Sequence, residues 1–216
     1  MKTLAPLALL AVTLTAVAQE KPRQPGQLPD ADAGAMSLPN TISAPPFSVR
    51  DKFDYRIVQT VGLRGFGGAL IGAAIGQANG SPSEWGGGVE GFAKRYASGF
   101  AGNLSRQSFA FVLESALHED PRYFPSQTGP NKARFLNALK QVVTCKLDSG
   151  DSSIAYARLI SSFGAAFLVN TWQPNSTGSA GAAWRRGMYG LGGDLAYNLL
   201  QEFVPFTRPR SLRHQN

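Results

Sequence analysis

The sequence is poor in the residues that enzymes use for chemistry and that soluble proteins place on their surfaces. Charged residues are 16% of the 216 residues, against roughly 25% in an average soluble domain. There are two histidines and one cysteine, Cys145, so no intrachain disulfide can form. This composition excludes a disulfide-stabilised scaffold and leaves few groups for acid–base or metal chemistry.

Long apolar runs and β-strand patterns are also missing. The most apolar windows, at 65–78 and 159–169, are shorter than the roughly 20 residues that a membrane span needs. The mean hydropathy of −0.13 is not typical of a polytopic membrane protein. Alternation of β-branched and polar residues is nearly absent, which favours helices. We therefore expect an all-α domain that packs beside a membrane surface or partly in it, without spanning it.

The N-terminus has the pattern of a secretory signal peptide. Lys2 precedes an apolar stretch from Leu4 to Val17, and Ala18 completes a small-x-small cleavage site. Residues 1–18 are thus predicted to direct export to the periplasm or outer envelope. The formal net charge of +7 favours anionic partners, and export disfavours nucleic acid. The expected partner is an anionic membrane surface or another envelope protein.

The rest of the chain divides into three parts. Residues 19–46 are rich in proline and lack apolar periodicity, which predicts a disordered linker. Residues 47–206 are predicted to form a helical domain, and residues 207–216 a basic tail. Turn and cap signals place helices near 48–78, 87–119, 131–146, 152–172 and 179–203. The predicted fold is a compact all-α bundle of four to five helices.

Small residues form stripes on three of the predicted helices. Gly68, Gly72 and Gly76 make two consecutive GxxxG steps, which allow close approach of another backbone. Similar glycine faces on 87–119 and 179–203 predict that these two helices pack together, with Asp194 accepting a hydrogen bond from Arg95 or Arg106. The same faces are expected to support homo-oligomerisation.

A polar cavity between helices is the alternative for the charges inside these stripes. Its candidate ligand-binding residues are Arg95, Arg106, Asp194 and Asn198. On this hypothesis the protein binds a small molecule.

The stretch LHEDPRYF at 117–124 contains the densest group of ionisable side chains. The candidate catalytic residues are His118, Glu119, Asp120 and Arg122, since a histidine beside carboxylates can act as a general acid or base. Glu114 and His118 share a helix face at a spacing of four and are candidate metal ligands, with a third expected from Glu202, Asp148 or Asp151. These residues predict a metal-dependent hydrolase.

A purely structural role is the competing interpretation of the same stretch. Carboxylates at a helix C-terminus oppose the helix dipole and need cations nearby. Arg122, Arg134 or Arg158 would then neutralise Glu119 and Asp120 in a hub of salt bridges.

Several segments resemble a group of uncharacterised exported bacterial proteins that share an EDPRY segment. The resemblance is carried by HEDPRYF, by SEWGGGVEGFAKRYASGF, by DSG and by a late GD…N…EF pattern. It covers roughly residues 50–206 and supports those domain limits. It implies no assigned activity.

The sequence therefore favours a non-enzymatic cell-envelope protein that associates with a membrane surface or with an envelope component. The metal-dependent hydrolase and the small-molecule binder are the two alternatives. No cofactor is expected.

Overall fold

The folded part of the chain is seen in a computed structural model that describes residues 41, 44–126 and 128–208. The predicted signal peptide at 1–18, most of the predicted linker at 19–46 and most of the predicted tail at 207–216 lie outside these residues. Where the end of the linker is described, it contacts the domain. The carbonyl of Pro45 accepts a hydrogen bond from Nη2 of Arg122 at 2.6 Å. Ordered structure thus begins before residue 47.

The described residues form an all-α bundle, which confirms the predicted fold class. Its helices are α1 (Val49–Val61), α2 (Leu63–Ala78), α3 (Gly88–Leu117), α4 (Asn131–Val143), α5 (Tyr156–Val169) and α6 (Ala180–Phe203). Between α4 and α5, the strands β1 (Thr144–Lys146) and β2 (Ser152–Ile154) form an antiparallel pair.

The helix ends explain where the predicted boundaries differ. The single helix predicted over 48–78 is interrupted at Gly62, whose backbone is extended, so α1 and α2 form one broken unit. Ser48 caps α1 through a capping box with Asp51. Helix α3 ends where His118 adopts a left-handed conformation at φ 56°. That is just before Asp120-Pro121, the predicted stop. The strands were missed because each has only three residues.

The bundle has two ends with different connections. At the turn end, residues 79–87 connect α2 to α3, and residues 170–179 connect α5 to α6. At the hairpin end lie residues 118–126, residues 128–130 and the strands. Helix α3 packs against α1, α2 and α5, while α6 packs against α5 and α4.

The glycine faces do not join α3 to α6 as predicted. Each has helix α5 as a neighbour, and a Cβ on Gly102 of α3 or Gly187 of α6 would meet Val169 or Phe163 of α5. On α2, Gly68 and Gly72 face open space. The prediction of direct packing was wrong because three helices, not two, meet at these faces.

The interior of the bundle is unusual in composition. Ten of the fifteen buried hydrophobic residues are alanine, and no leucine, isoleucine, methionine or tryptophan in the described part is fully buried. The buried set includes many polar and charged side chains, among them Lys52, Arg95, Glu114, Arg122 and Glu202. Large apolar side chains lie outside instead: Leu63 is 91% exposed and Ile71 is 62% exposed. The bundle is therefore polar inside and apolar outside.

Gly187 and Gly72 provide a test of the packing. A Cβ at Gly187 would lie 2.3 Å from Cδ1 of Phe163, whereas one at Gly72 meets nothing within 4 Å. We expect Gly187→Ala to destabilise the protein by about 1–3 kcal/mol through overpacking. Gly72→Ala should be neutral or stabilising by up to about 1 kcal/mol, because alanine favours the helix. Chemical denaturation of both variants measures this, and equal stabilities would contradict the close approach of α5 and α6.

Candidate functional site

His118 lies apart from the other ionisable groups of LHEDPRYF. Its side chain is 76% exposed, and its Nδ1 is 3.6 Å from Oδ2 of Asp148. The left-handed conformation that ends α3 turns this residue away from the bundle axis. Asp148 is itself bound by Nζ of the buried Lys52 at 2.7 Å. His118 is thus a surface residue beside an ion pair.

Asp120 and Arg122 form a buried ion pair. Nη2 of Arg122 donates to Oδ2 of Asp120 at 2.6 Å, and Nε donates to Oδ1 at 2.9 Å. The guanidinium also lies 3.8 Å from the centre of the Phe47 ring, within range of a cation–π interaction. This contact is the one expected for a structural hub.

Glu119 binds a backbone N–H group and not the arginine side chain predicted from the sequence. Its carboxylate accepts from the backbone N–H of Ala157, at the N-terminus of α5, at 3.2 and 3.3 Å. Neither Arg134 nor Arg158 forms a salt bridge with it. Burial raises the pKa of Glu119, and the Ala157 N–H partly opposes this increase. The acid that opposes the dipole of α3 is therefore placed favourably for the dipole of α5.

Glu202 organises a second network at the hairpin end. It is fully buried and accepts from the hydroxyl of Tyr123, from Nε of Arg134 at 2.9 Å and from the backbone N–H of Ser126. Burial raises the pKa of Tyr123, and the hydrogen bond to Glu202 raises it further. Tyr123 therefore remains a neutral donor that ties the LHEDPRYF stretch to α6.

Glu114 is paired inside the bundle and not with His118. Both of its carboxylate oxygens accept from Arg56 of α1, through Nη2 and through Nε at 2.8 Å. Arg56 also donates to Oε1 of Gln107 at 2.7 Å. The predicted metal ligands Glu114 and His118 consequently face different surroundings, one buried and one exposed.

Asp194 lies at the centre of the bundle between two arginines. Its Oδ1 is 2.5 Å from Nη2 of Arg64 on α2, and its Oδ2 is 2.5 Å from Nη2 of Arg106 on α3. The predicted pair of Asp194 with Arg106 is confirmed, although α3 and α6 do not pack directly. The long arginine side chains span the distance between the helices.

The other two predicted ligand-binding residues have separate positions. Arg95 is held at the turn end by the carbonyls of Ser81, Pro82 and Gly86 and by Oε1 of Gln77. Asn198 donates to the carbonyl of Ala138 at 3.1 Å. Arg106, Asp194 and Asn198 all line one small cavity between the helices, and Arg95 does not.

The positions of the candidate catalytic and metal-binding residues give little support to a metal-dependent hydrolase. Within residues 41, 44–126 and 128–208, no group of three or more His, Cys, Asp or Glu side chains is placed to hold a metal ion. Cys145 is buried, and burial together with the nearby Glu119 raises its pKa, which disfavours the reactive thiolate. His118 and Glu119 are not brought together in a pocket.

Comparisons with family models, with curated proteins and with solved structures gave no match to this chain.

Of the residues that line the central cavity, the sequence identified only Arg106, Asp194 and Asn198 as ligand-binding candidates. The charged or amide residues that it missed are Arg56, Arg64, Arg158 and Gln201. A signal for two of them exists in the sequence. Arg64 and Arg158 stand alone in otherwise apolar helical stretches, where an unpaired charge is costly and must find partners. Arg56, which lies close to Lys52 and Asp54 in the chain, and Gln201 carry no such signal.

Glu114 and Glu119 form a matched pair for testing these electrostatics. Glu114→Gln should destabilise the protein by about 3–5 kcal/mol, because it leaves the guanidinium of Arg56 without a counter-charge. Glu119→Gln should leave stability at neutral pH unchanged or higher, since the amide oxygen can still accept from Ala157 and no buried charge remains.

The pH dependence supplies a second measurement on the same pair. Because the folded-state pKa of Glu119 is raised, the folded state binds its proton more tightly than the unfolded state. Its contribution to stability is lost as pH rises from the ordinary carboxyl range through the raised pKa. Denaturation profiles against pH should show less of this loss in Glu119→Gln. A larger stability loss for Glu119→Gln than for Glu114→Gln would contradict the assignment.

Proposed function

We propose that this chain is a non-enzymatic cell-envelope protein whose helical domain is embedded in a lipid bilayer, with its apolar outer surface against the hydrocarbon, which is a deeper placement than the surface association expected from the sequence. The observation that carries the proposal is the inverted distribution of side chains, with charged groups inside the bundle and large apolar groups outside. In water this arrangement would forfeit most of the hydrophobic stabilisation of folding. In a bilayer, the apolar side chains would contact hydrocarbon, and the charged groups would remain inside the bundle with their partners.

The positions of the exposed charges support the same proposal. Each lies in a loop, in α4, or in the first two turns of α1, α3 or α6. In the described residues they are Arg50, Asp51, Asp54, Glu84, Glu90, Lys94, Lys132, Asp151 and Arg185. In the helical segments between these two charged ends, every charged side chain is buried or partly buried. The outer surface thus has a charge-free belt with charges at both ends of the bundle.

The height of this belt fits a bilayer. The stretches without an exposed charge cover 55–78 on α1 and α2, 95–117 on α3 and 186–203 on α6. At 1.5 Å per residue they are about 36, 35 and 27 Å long, close to the roughly 30 Å of a hydrocarbon core. Helix α5 is shorter, about 21 Å.

The mean hydropathy of each single helix understates how apolar the outer surface of the bundle is. Among the described residues, the Val49–Ala78 unit alone is long and apolar enough to cross a membrane by length and composition, and 28% of its apolar window is buried. One such helix would be weak evidence by itself. Helices α3 and α6 have a lower hydropathy because their inward faces carry glycine, arginine and carboxylates. Only the outward faces would contact lipid.

Lipid is favoured over a second copy of the chain as the occupant of this surface. A dimer would cover one face, but the exposed apolar side chains lie on every long helix: Leu70 and Ile71 on α2, Val112 on α3, Ile160 on α5 and Met188 on α6. Between α2 and α3, an open apolar groove is lined by Leu63, Phe66, Gly67, Leu70, Phe92 and Tyr96. Such a groove suits an acyl chain.

The tryptophans are placed as a membrane interface would require. Trp85, Trp172 and Trp184 all lie at the turn end, beside the charged residues Glu84 and Arg185. Tryptophan is enriched at the boundary between hydrocarbon and headgroups. The turn end would therefore lie at one interface.

Ile71→Lys tests the proposal, with Asn79→Lys, at the C-cap of the same helix, as the matched control. Ile71 is in the middle of the belt, and a lysine at the centre of a membrane helix costs about 2.5–3.5 kcal/mol on insertion scales. We expect Ile71→Lys to reduce the fraction of protein that stays in membranes after alkaline extraction. Asn79 is at the turn end, so Asn79→Lys should behave as wild type.

The opposite results would be equally clear. In a water-soluble bundle, Ile71→Lys on an exposed surface would leave stability unchanged and would improve solubility. Wild-type protein that is released completely by alkaline extraction and remains monomeric without detergent would overturn the proposal. Loss of a dimer in Ile71→Lys without a change in membrane retention would point to a second copy of the chain instead.

A further inference from the structure

The central cavity is large enough for one water molecule or one monatomic ion. It lies between α1, α2, α3, α5 and α6 and has a volume of ≈ 20 Å³. A cavity needs about 10–15 Å³ to hold one water molecule. The wall includes Arg56, Arg64, Arg106, Arg158, Asp194 and Gln201.

Positive charge is in excess around this cavity. Four arginines and one carboxylate, Asp194, line it. Glu114 neutralises Arg56, and Asp194 is shared by Arg64 and Arg106. Arg158 donates through Nη1 to the carbonyls of Gln141, Val142 and Thr144. Among the described residues, no carboxylate lies within salt-bridge distance of Arg158.

The unpaired side chain of Gln201 indicates a bound ligand independently of the excess positive charge. Its side chain is fully buried, it lines the cavity, and neither Nε2 nor Oε1 has a hydrogen-bond partner among the described residues. A buried amide without partners costs about 1–3 kcal/mol for each unsatisfied group. A ligand in the cavity would remove at least part of that cost.

We propose that the cavity binds a single monatomic anion, of which chloride is the common cellular example. Donors for it are Nε2 of Gln201 and the guanidinium N–H groups of Arg106 and Arg158 that have no partner among the described residues. A water molecule could satisfy Gln201 but would leave the excess positive charge uncompensated in a poorly hydrated interior. Oxyanions such as phosphate, with four oxygens, are too large for the volume.

The anion gives a reason for the unequal number of arginines and carboxylates. Arg64, Arg106, Arg158 and Asp194 carry three positive charges and one negative charge, and one bound monovalent anion would halve this excess from +2 to +1. Removal of the anion leaves repulsion between guanidinium groups on α2, α3 and α5. Anion binding should therefore stabilise the packing of these helices against α6.

Thermal unfolding of the purified full chain in detergent tests the site. Sodium chloride is titrated against sodium gluconate at constant ionic strength, because gluconate is too large to enter. We expect a saturable rise in unfolding temperature with chloride, of about 5–10 °C at a hundred times Kd. Gln201→Leu should lose most of this shift. Gln173→Leu, at the turn end, should keep it.

Chloride NMR on the wild-type protein keeps the test decisive if Gln201→Leu does not fold. Binding should broaden the chloride resonance, and added bromide should reverse the broadening by competition. Equal unfolding temperatures in chloride and gluconate, absence of broadening, or an undiminished chloride shift in Gln201→Leu would each overturn the proposal. The cavity would then be a water site only.

Discussion

The contact of Asp194 with Arg64 and Arg106 is the interaction on which the rest of the bundle depends. It joins α6 to α2 and α3, pairs of helices that have little direct packing. Because the interior contains alanine and glycine instead of large aliphatic residues, few side chains interlock to fix the helix positions. Directional, charge-assisted hydrogen bonds fix them instead. Loss of one partner would leave a buried charge and not merely a cavity.

The polar interior and the apolar exterior are two consequences of the same constraint. Alanine and glycine allow helices to approach closely, as where Gly99 of α3 meets Ala69 of α2, and such packing is what holds helices together in lipid. The large side chains displaced from the interior must then face outward. In the proposed membrane placement, lipid would cover the exterior, and the internal charges would depend on one another for stabilisation. The belt of uncharged surface and the network of paired arginines therefore support one another.

Part of this organisation was predictable from the sequence, and the limits have physical causes. Proline, glycine and cap signals located the long helices, and the pairing of Asp194 with Arg106 followed from opposite charges on two small-residue faces. Hydrophobic periodicity does not identify the inward side of these helices, because it assumes an apolar core, whereas the small-residue face of α6 does mark its buried side. Arg64 and Arg158 looked like interruptions of apolar segments, although they are the groups that the segments enclose. The sequence predicts helix α5 itself, but its packing against both glycine faces is seen only in the three-dimensional structure.

LHEDPRYF illustrates how a dense group of ionisable residues can be resolved into separate structural roles. His118 ends α3 in a left-handed conformation and stays at the surface, while Glu119 receives the N-terminus of α5, Asp120 binds Arg122, and Tyr123 reaches Glu202 on α6. Asp120 and Arg122 pair within the stretch, whereas His118, Glu119, Arg122 and Tyr123 each contact a different part of the chain at the hairpin end. Catalysis needs the opposite geometry, with several groups converging on one point. In the described structure, polar groups converge around the buried Glu202 and around the central cavity, and His118 belongs to neither group.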